Sequence, residues 1–174
     1  MAFLYHRVPE HMDGTVLYPL NELKEKYPDL FSSRQEHHEH QPKVLEDSIP
    51  RLGCFWDDVL HFTALHPTKI AEALKKLGYE SKLKYYEVDA KQLSPERTMV
   101  FLNKPRELGA STKFTDFIRF DQNEVEKLAY IPEDAMEYAK KSIPTADEFL
   151  LNYRAPYILY KGEFDVSGAK IIEV

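Results

Sequence analysis

Seven histidines are the first side chains in this 174-residue chain that invite a chemical reading. His37, His38 and His40 fall in the run HHEH, flanked by Glu36 and Glu39. Imidazoles and carboxylates at close spacing can bind a transition metal. Structural metal sites, however, draw ligands from separated elements, and this run sits in the polar stretch Ser32–Lys43, which reads as a solvated loop. His61 and His66 bracket HFTALH, a gap that does not place both on one helical face; a strand-to-helix corner would converge them. His61 itself follows an apolar run and reads as a core or cleft histidine rather than a metal ligand. The neighbouring carboxylates Asp57 and Asp58 point in different directions on any regular element, so they make a weak acid/base pair. Cys54, the only cysteine, lies between Gly53 and Phe55 and reads as a small buried hydrophobe. GxGxxG, GxxxxGK[ST], GxSxG, HExxH and CxxC are all absent, which removes the sequence warrant for dehydrogenase, P-loop, hydrolase-elbow and zincin chemistry.

The elements that must position these groups follow from local signals. Phe3, Leu4 and Tyr5 predict a strand over 2–7, and Met12–Gly14 a turn. Leu20, Leu23 and Tyr27 recur at helical spacing between Pro19 and Pro28. Ile49–His61 is dense in large apolar groups. The clearest helix starts at Pro67, carries Ile70, Leu74 and Leu77 as one stripe, and stops at Gly78. Lys84–Asp89 and Thr98–Leu102 read as strands, and a loop over 103–120 ends in a short strand at Phe117–Phe120. Asp121 with Glu124 predicts a capped helix toward Tyr130; Pro132 opens another toward Lys141, and Thr145 with Glu148 caps a third. Tyr157–Glu163 and Ala169–Val174 read as two strands joined by a turn at Asp165–Gly168. No internal repeat is evident. Strands and helices do not alternate regularly, so the order predicts a single α+β domain over 1–174, with a mixed or antiparallel sheet core and peripheral helices.

The net charge of −6, from 29 acidic and 23 basic residues, works against phosphate-backbone binding and disfavours a nucleic-acid partner. The first residues, MAFLYHRVPEHMDG, lack the pattern of a signal peptide, and no run approaches the roughly 18 apolar residues a membrane span needs. With one cysteine, a reducing cytoplasmic setting is expected. Aromatic residues make up 13% of the chain, enough to wall a core or to stack a base.

Three stretches together resemble the ADP-ribosyltransferase-like superfamily, in particular small bacterial members near the NAD-dependent nucleic-acid modifiers and RNA 2′-phosphotransferases. They are Tyr5-His6-Arg7 on the opening strand, Leu60-His61-Phe62-Thr63 followed by His66-Pro67 and a helix, and Pro156–Tyr160 running through Glu163 to Val174. Tyr85–Asp89 is similar to the next core strand. No Ser-Thr-Ser sequence accompanies them. The resemblance implies a transferase with NAD as cofactor. It assigns Glu163 and His6 to catalysis, His6 and Arg7 to gripping the cofactor, and His61, Thr63 and Tyr86 to the pocket wall. Two other functional readings stand beside it. One is a non-catalytic module that binds a protein partner, consistent with the acidic charge and missing motifs. The other is a metal-dependent enzyme using His6, His11, His61 and His66. The nucleotide reading predicts that His6, Arg7, His61 and Glu163 converge on one cleft.

Overall fold

The opening strand, β1 (Phe3–Arg7), is extended where bulky β-favouring residues cluster, and Pro9, which lacks an N–H, follows its end. It pairs antiparallel with β4 (Lys84–Asp89), placing Tyr5 opposite Glu87 and His6 opposite Tyr86. On the far side of β4 lies β9 (Lys170–Glu173), completing a three-stranded sheet in the order β1-β4-β9. A second, four-stranded sheet has the order β3-β7-β5-β6, formed by β3 (Val59–Phe62), β7 (Tyr157–Lys161), β5 (Thr98–Phe101) and β6 (Phe117–Arg119), every pair antiparallel. A short ribbon pairs β2 (Val16–Leu17) with β8 (Phe164–Asp165). The structure is a computed structural model describing residues 1–29, 31, 47–80, 82–106 and 110–174, with backbone alone at 151 and 152. The HHEH run, and with it all of Ser32–Lys43, lies outside the described residues.

Helices with all their residues described are α1 (Leu20–Lys26), α2 (Pro67–Lys76), α3 (Glu133–Ser142) and α4 (Ala146–Asn152), the last three sharing a core with Tyr5 and Tyr85 of the three-stranded sheet. α2 follows the signals in its sequence. Pro67 opens it, Ile70, Ala73 and Leu74 are buried, and Gly78 at φ 83° takes the left-handed turn beyond its end. His66 caps it, its Nδ1 accepting from the Thr68 N–H at 3.2 Å. The Thr145 hydroxyl likewise accepts from the Glu148 N–H at 3.2 Å and starts α4. Together these elements make a single α+β domain with antiparallel sheets. Among the described residues, no helix is long and apolar enough to cross a membrane.

Two local expectations are overturned. Asp121 and Glu124 do not open a helix, because the Asp121 carboxylate accepts from the Asn123 N–H at 2.8 Å and closes a tight turn; only a 3-10 turn, Val125–Leu128, follows. The last strands are not a hairpin. β7 belongs to the four-stranded sheet and β9 to the three-stranded one, with Phe164 and Asp165 diverted between them to pair with β2.

The main core lies where both sheets contribute, with Leu4 and Val88 meeting Leu60, Phe62, Val100 and Ile158. Beneath the helices, Ile70, Leu74, Phe149 and Tyr153 form a second cluster with Tyr5 and Tyr85. Val59, Met99, Phe101 and Leu159 form a third on the outer side of the four-stranded sheet.

The turn after β7 depends on Gly162, at φ 88°. A Cβ there would collide with the Arg97 guanidinium. That guanidinium stacks 4.9 Å from the Tyr160 ring centre, and its Nε donates to the Lys161 carbonyl at 2.9 Å. Gly162→Ala is therefore expected to cost about 1–2 kcal/mol, from the unfavourable φ and from displacing Arg97. Urea unfolding measures it, and the cost should shrink in an Arg97→Ala background. An equal cost in both backgrounds would assign the whole effect to the backbone angle.

Candidate functional site

Among the described residues the two sheets meet in one pair of main-chain hydrogen bonds. Tyr5 N–H donates to Thr63 O at 2.8 Å, and Thr63 N–H returns to Tyr5 O at 2.9 Å. Past this pair β1 continues beside β4 and β3 beside β7, so the strands part. A notch of about 110 Å³ opens near the parting. His6 reaches it from β1, and Leu60 and His61 from β3. Trp56 and Asp57 come from the 3-10 turn Trp56–Asp58, and Tyr18 from the segment before α1.

Strand alternation decides which face each side chain takes. Leu4 and His6 share the face of Phe62, and the His6 and Phe62 rings meet edge to face at 5.2 Å. Tyr86, directly across from His6, sends its hydroxyl to the Met12 sulfur at 3.5 Å. Tyr5 and Arg7 take the opposite face, with Arg7 across from Tyr85 on β4. On β3, Val59, His61 and Thr63 share that opposite face, where the His61 ring lies 5.9 Å from Tyr157 and 5.7 Å from Trp56. His6 and His61 thus reach the notch from opposite sides of the sheet.

A cluster of tyrosines fills the Arg7–Thr63 face. Tyr153 and Tyr157 rings are 6.4 Å apart, and Tyr153 hydrogen-bonds the Thr63 side chain. Burial pushes the Tyr157 hydroxyl up to about 12, with Tyr85 adding to the rise. Burial also raises Tyr153 well above its ordinary value and raises Tyr85, which Arg7 partly opposes. On β1, burial and then Glu87 raise Tyr5 to about 12. These hydroxyls stay protonated near neutral pH and serve as donors, not as nucleophiles.

The structure gathers part of the residue set assigned from sequence. His6 and His61 line one notch. Thr63 does not; it is buried, and its hydroxyl accepts from the Leu65 N–H at 3.1 Å. Arg7 is exposed on the far face, and Tyr86 stands beside His6 on β4, outside the notch lining. Glu163 is exposed and ion-paired with Lys26 at 3.2 Å. Lys26 in turn sits 4.3 Å over the Tyr18 ring, so Glu163 stands two side chains away from the notch. The full convergence of His6, Arg7, His61 and Glu163 does not occur.

The chain matches no protein-family model, no curated protein and no solved structure. Its site is therefore read from its own residues.

Trp56 lines the notch without any signal in the sequence that marked it, and Asp57 lines it although its sequence signal was only that of a weak acid/base pair. The two neighbouring carboxylates do diverge. Asp58 accepts from the Phe55 N–H at 2.8 Å and from the Asn21 amide at 2.7 Å, which fixes the turn, while Asp57 lines the notch with one oxygen buried. A short recurrence in the sequence marks this turn. WDDVLHF, from Trp56 to Phe62, is matched by FTDFIRF, from Phe114 to Phe120, and both are a 3-10 turn leading into an edge strand. In the second copy Asp116 accepts from the Lys113 N–H at 2.8 Å, as Asp58 does from Phe55.

Among the described residues no group of three or more His, Cys, Asp or Glu side chains is placed to hold a metal. Of the four histidines of the metal reading, His6 and His61 meet at the notch while His66 is spent capping α2. Cys54 is buried, and burial raises its thiol, in line with a packing role.

Proposed function

We propose that the notch between β1 and β3 binds the planar heteroaromatic end of NAD or a related nucleotide, in an ADP-ribosyltransferase-like site. One observation carries this reading: histidines from two different strands, a tryptophan and a carboxylate surround a single opening where the strands part. The resemblance of the His6 and His61 stretches to that superfamily points the same way.

Size sets the mode of binding. At about 110 Å³ the notch is small beside drug-sized sites of roughly 300–1,000 Å³, so it takes one ring and leaves the sugar and phosphates at its mouth. Trp56 offers a face for stacking, and the imidazoles of His6 and His61 offer donors or acceptors. Cleavage of the glycosidic bond sends its electron pair to the leaving ring and puts positive charge on the sugar, which a carboxylate stabilises. Asp57 is the carboxylate at the notch; Glu163 serves only if it leaves Lys26.

Thermal unfolding with NAD, ADP-ribose and nicotinamide tests this. A ligand present at 100 times its Kd adds about 2.7 kcal/mol, which at this chain length raises Tm by roughly 5–11 °C. The rise should vanish in His61→Ala and in Trp56→Ala. Asp57→Asn should remove any turnover, whereas Glu163→Gln should alter stability by less than about 1 kcal/mol, since its ion pair is exposed. No shift with any of the three compounds sinks the nucleotide reading.

A further inference from the structure

We propose that the outer edge of β6, with the basic rim around Phe114, docks an extended segment of a partner protein in which acidic and apolar residues alternate. The segment adds to the four-stranded sheet as a fifth strand.

The backbone supplies the first part of the argument. β6 ends the sheet, and among the described residues it pairs only with β5. In an antiparallel ladder, alternate residues turn both main-chain groups toward the neighbour. Leu102 N–H donates to Asp116 O at 2.8 Å, so Asp116 and Ile118 turn inward, while Phe117 and Arg119 turn their N–H and C=O outward. Such an edge is a template for another strand unless it is blunted.

Side chains supply the second part. Phe114 is 69% exposed and Ile118 43%, large apolar groups within five residues of each other. Phe114 is not on a loose loop, because the Asp116 cap fixes its turn. The same stretch of chain carries four exposed cations, Lys104, Arg106, Lys113 and Arg119. Two of them are held in place: Lys104 Nζ donates to Thr115 O at 2.8 Å, and the Arg106 guanidinium lies 4.9 Å from the Phe101 ring centre. Among the described residues none of the four is paired with a carboxylate.

Charge then selects the occupant. Between Asn103 and Phe120 the chain carries these four cations against Glu107, outside the described residues, and Asp116, spent on its turn, while Asp47 reaches the same stretch and accepts from the Thr112 N–H at 2.6 Å. The chain as a whole carries −6. An acidic segment is therefore repelled by most of the surface and attracted here, which sets both place and register. Because cross-strand neighbours share a face, apolar residues of the segment pack beside Ile118 and acidic ones beside Arg119.

The test uses the full chain and a fluorescent peptide of alternating glutamate and valine, read by fluorescence anisotropy. The peptide is expected to bind, and a lysine–valine peptide is not. Lys104→Glu with Arg119→Glu should weaken binding at least about tenfold and confer binding of the lysine–valine peptide, a swap that misfolding cannot produce. Phe114→Ala should weaken binding without moving Tm. N-methylation of alternate peptide amides should abolish binding, because the added strand needs them. No binding up to about 1 mM overturns the proposal, as does equal binding of both peptides or of the N-methylated one. Displacement of the glutamate–valine peptide by single-stranded oligothymidine would assign the rim to nucleic acid and likewise overturn it.

Discussion

Phe62→Ala is expected to lower the free energy of unfolding by about 3–5 kcal/mol, a large part of the roughly 5–15 kcal/mol that holds a domain of this kind together. Phe62 is 0% exposed. Its ring meets Phe164 at 5.4 Å and His6 at 5.2 Å, and it shares a cluster with Leu4, Leu60, Val88 and Ile158. One side chain thus touches both sheets and the β2–β8 ribbon. Truncation removes apolar burial and leaves a cavity whose walls belong to three different strand systems, so it collapses poorly. Urea unfolding gives the free energy, and the matching fall in Tm is about 6–20 °C. The same change frees the His6 ring from its edge contact, so ligand affinity at the notch should fall even where the protein remains folded. A loss below about 1.5 kcal/mol would mean that the aromatic stack is not the tie between the sheets.

Raising the pH should unfold the protein through its buried tyrosines. The unfolded hydroxyl titrates near pH 10. In the folded chain, burial holds Tyr157 at about 12, and burial with Glu87 holds Tyr5 at about 12; Tyr85 and Tyr153 are raised as well. The folded state binds these protons more tightly than the unfolded state. Their contribution is complete below about pH 10 and is lost as the pH rises through about 12. Tyrosinate absorbance should therefore rise in two stages. The four raised hydroxyls, on Tyr5, Tyr85, Tyr153 and Tyr157, ionise in the second, only as the near-ultraviolet circular dichroism collapses. Tyr157→Phe, which removes one shifted hydroxyl and little volume, should move the collapse to higher pH. A single stage near pH 10 with the tertiary signal preserved would count against the burial of this cluster.

Local signals made much of the fold legible. Helix α2 could be placed because its stripe, its opening proline and its terminal glycine agree, and each acts within a few residues. β1, β4 and the Thr145 cap were readable for the same reason. The two closing strands could not be assigned to their sheets, because nothing in Tyr157–Val174 states that β8 pairs with Val16 and Leu17 far earlier in the chain. Part of the site followed from strand geometry. His6 and Arg7 are neighbours on one strand and must point to opposite faces, so both could not grip one ligand from the same side. Trp56 and Asp57 reach the notch only because Asp58 closes the turn beneath them, a relation that depends on Asn21 from another element. Glu163 rested on the resemblance of the closing strands alone, and the cation that pairs with it, Lys26, is remote in sequence.

The link between Tyr5 and Thr63 has a mechanical meaning. Among the described residues the two sheets are joined at one stitch of two hydrogen bonds, 2.8 and 2.9 Å long, and are otherwise held by side chains such as Leu4 against Leu60 and Phe62. Apolar contact has no preferred direction, so it resists separation while tolerating a small tilt. The stitch is therefore the directional constraint between the two sheets among the described residues, and His6 and His61 lie within two residues of it.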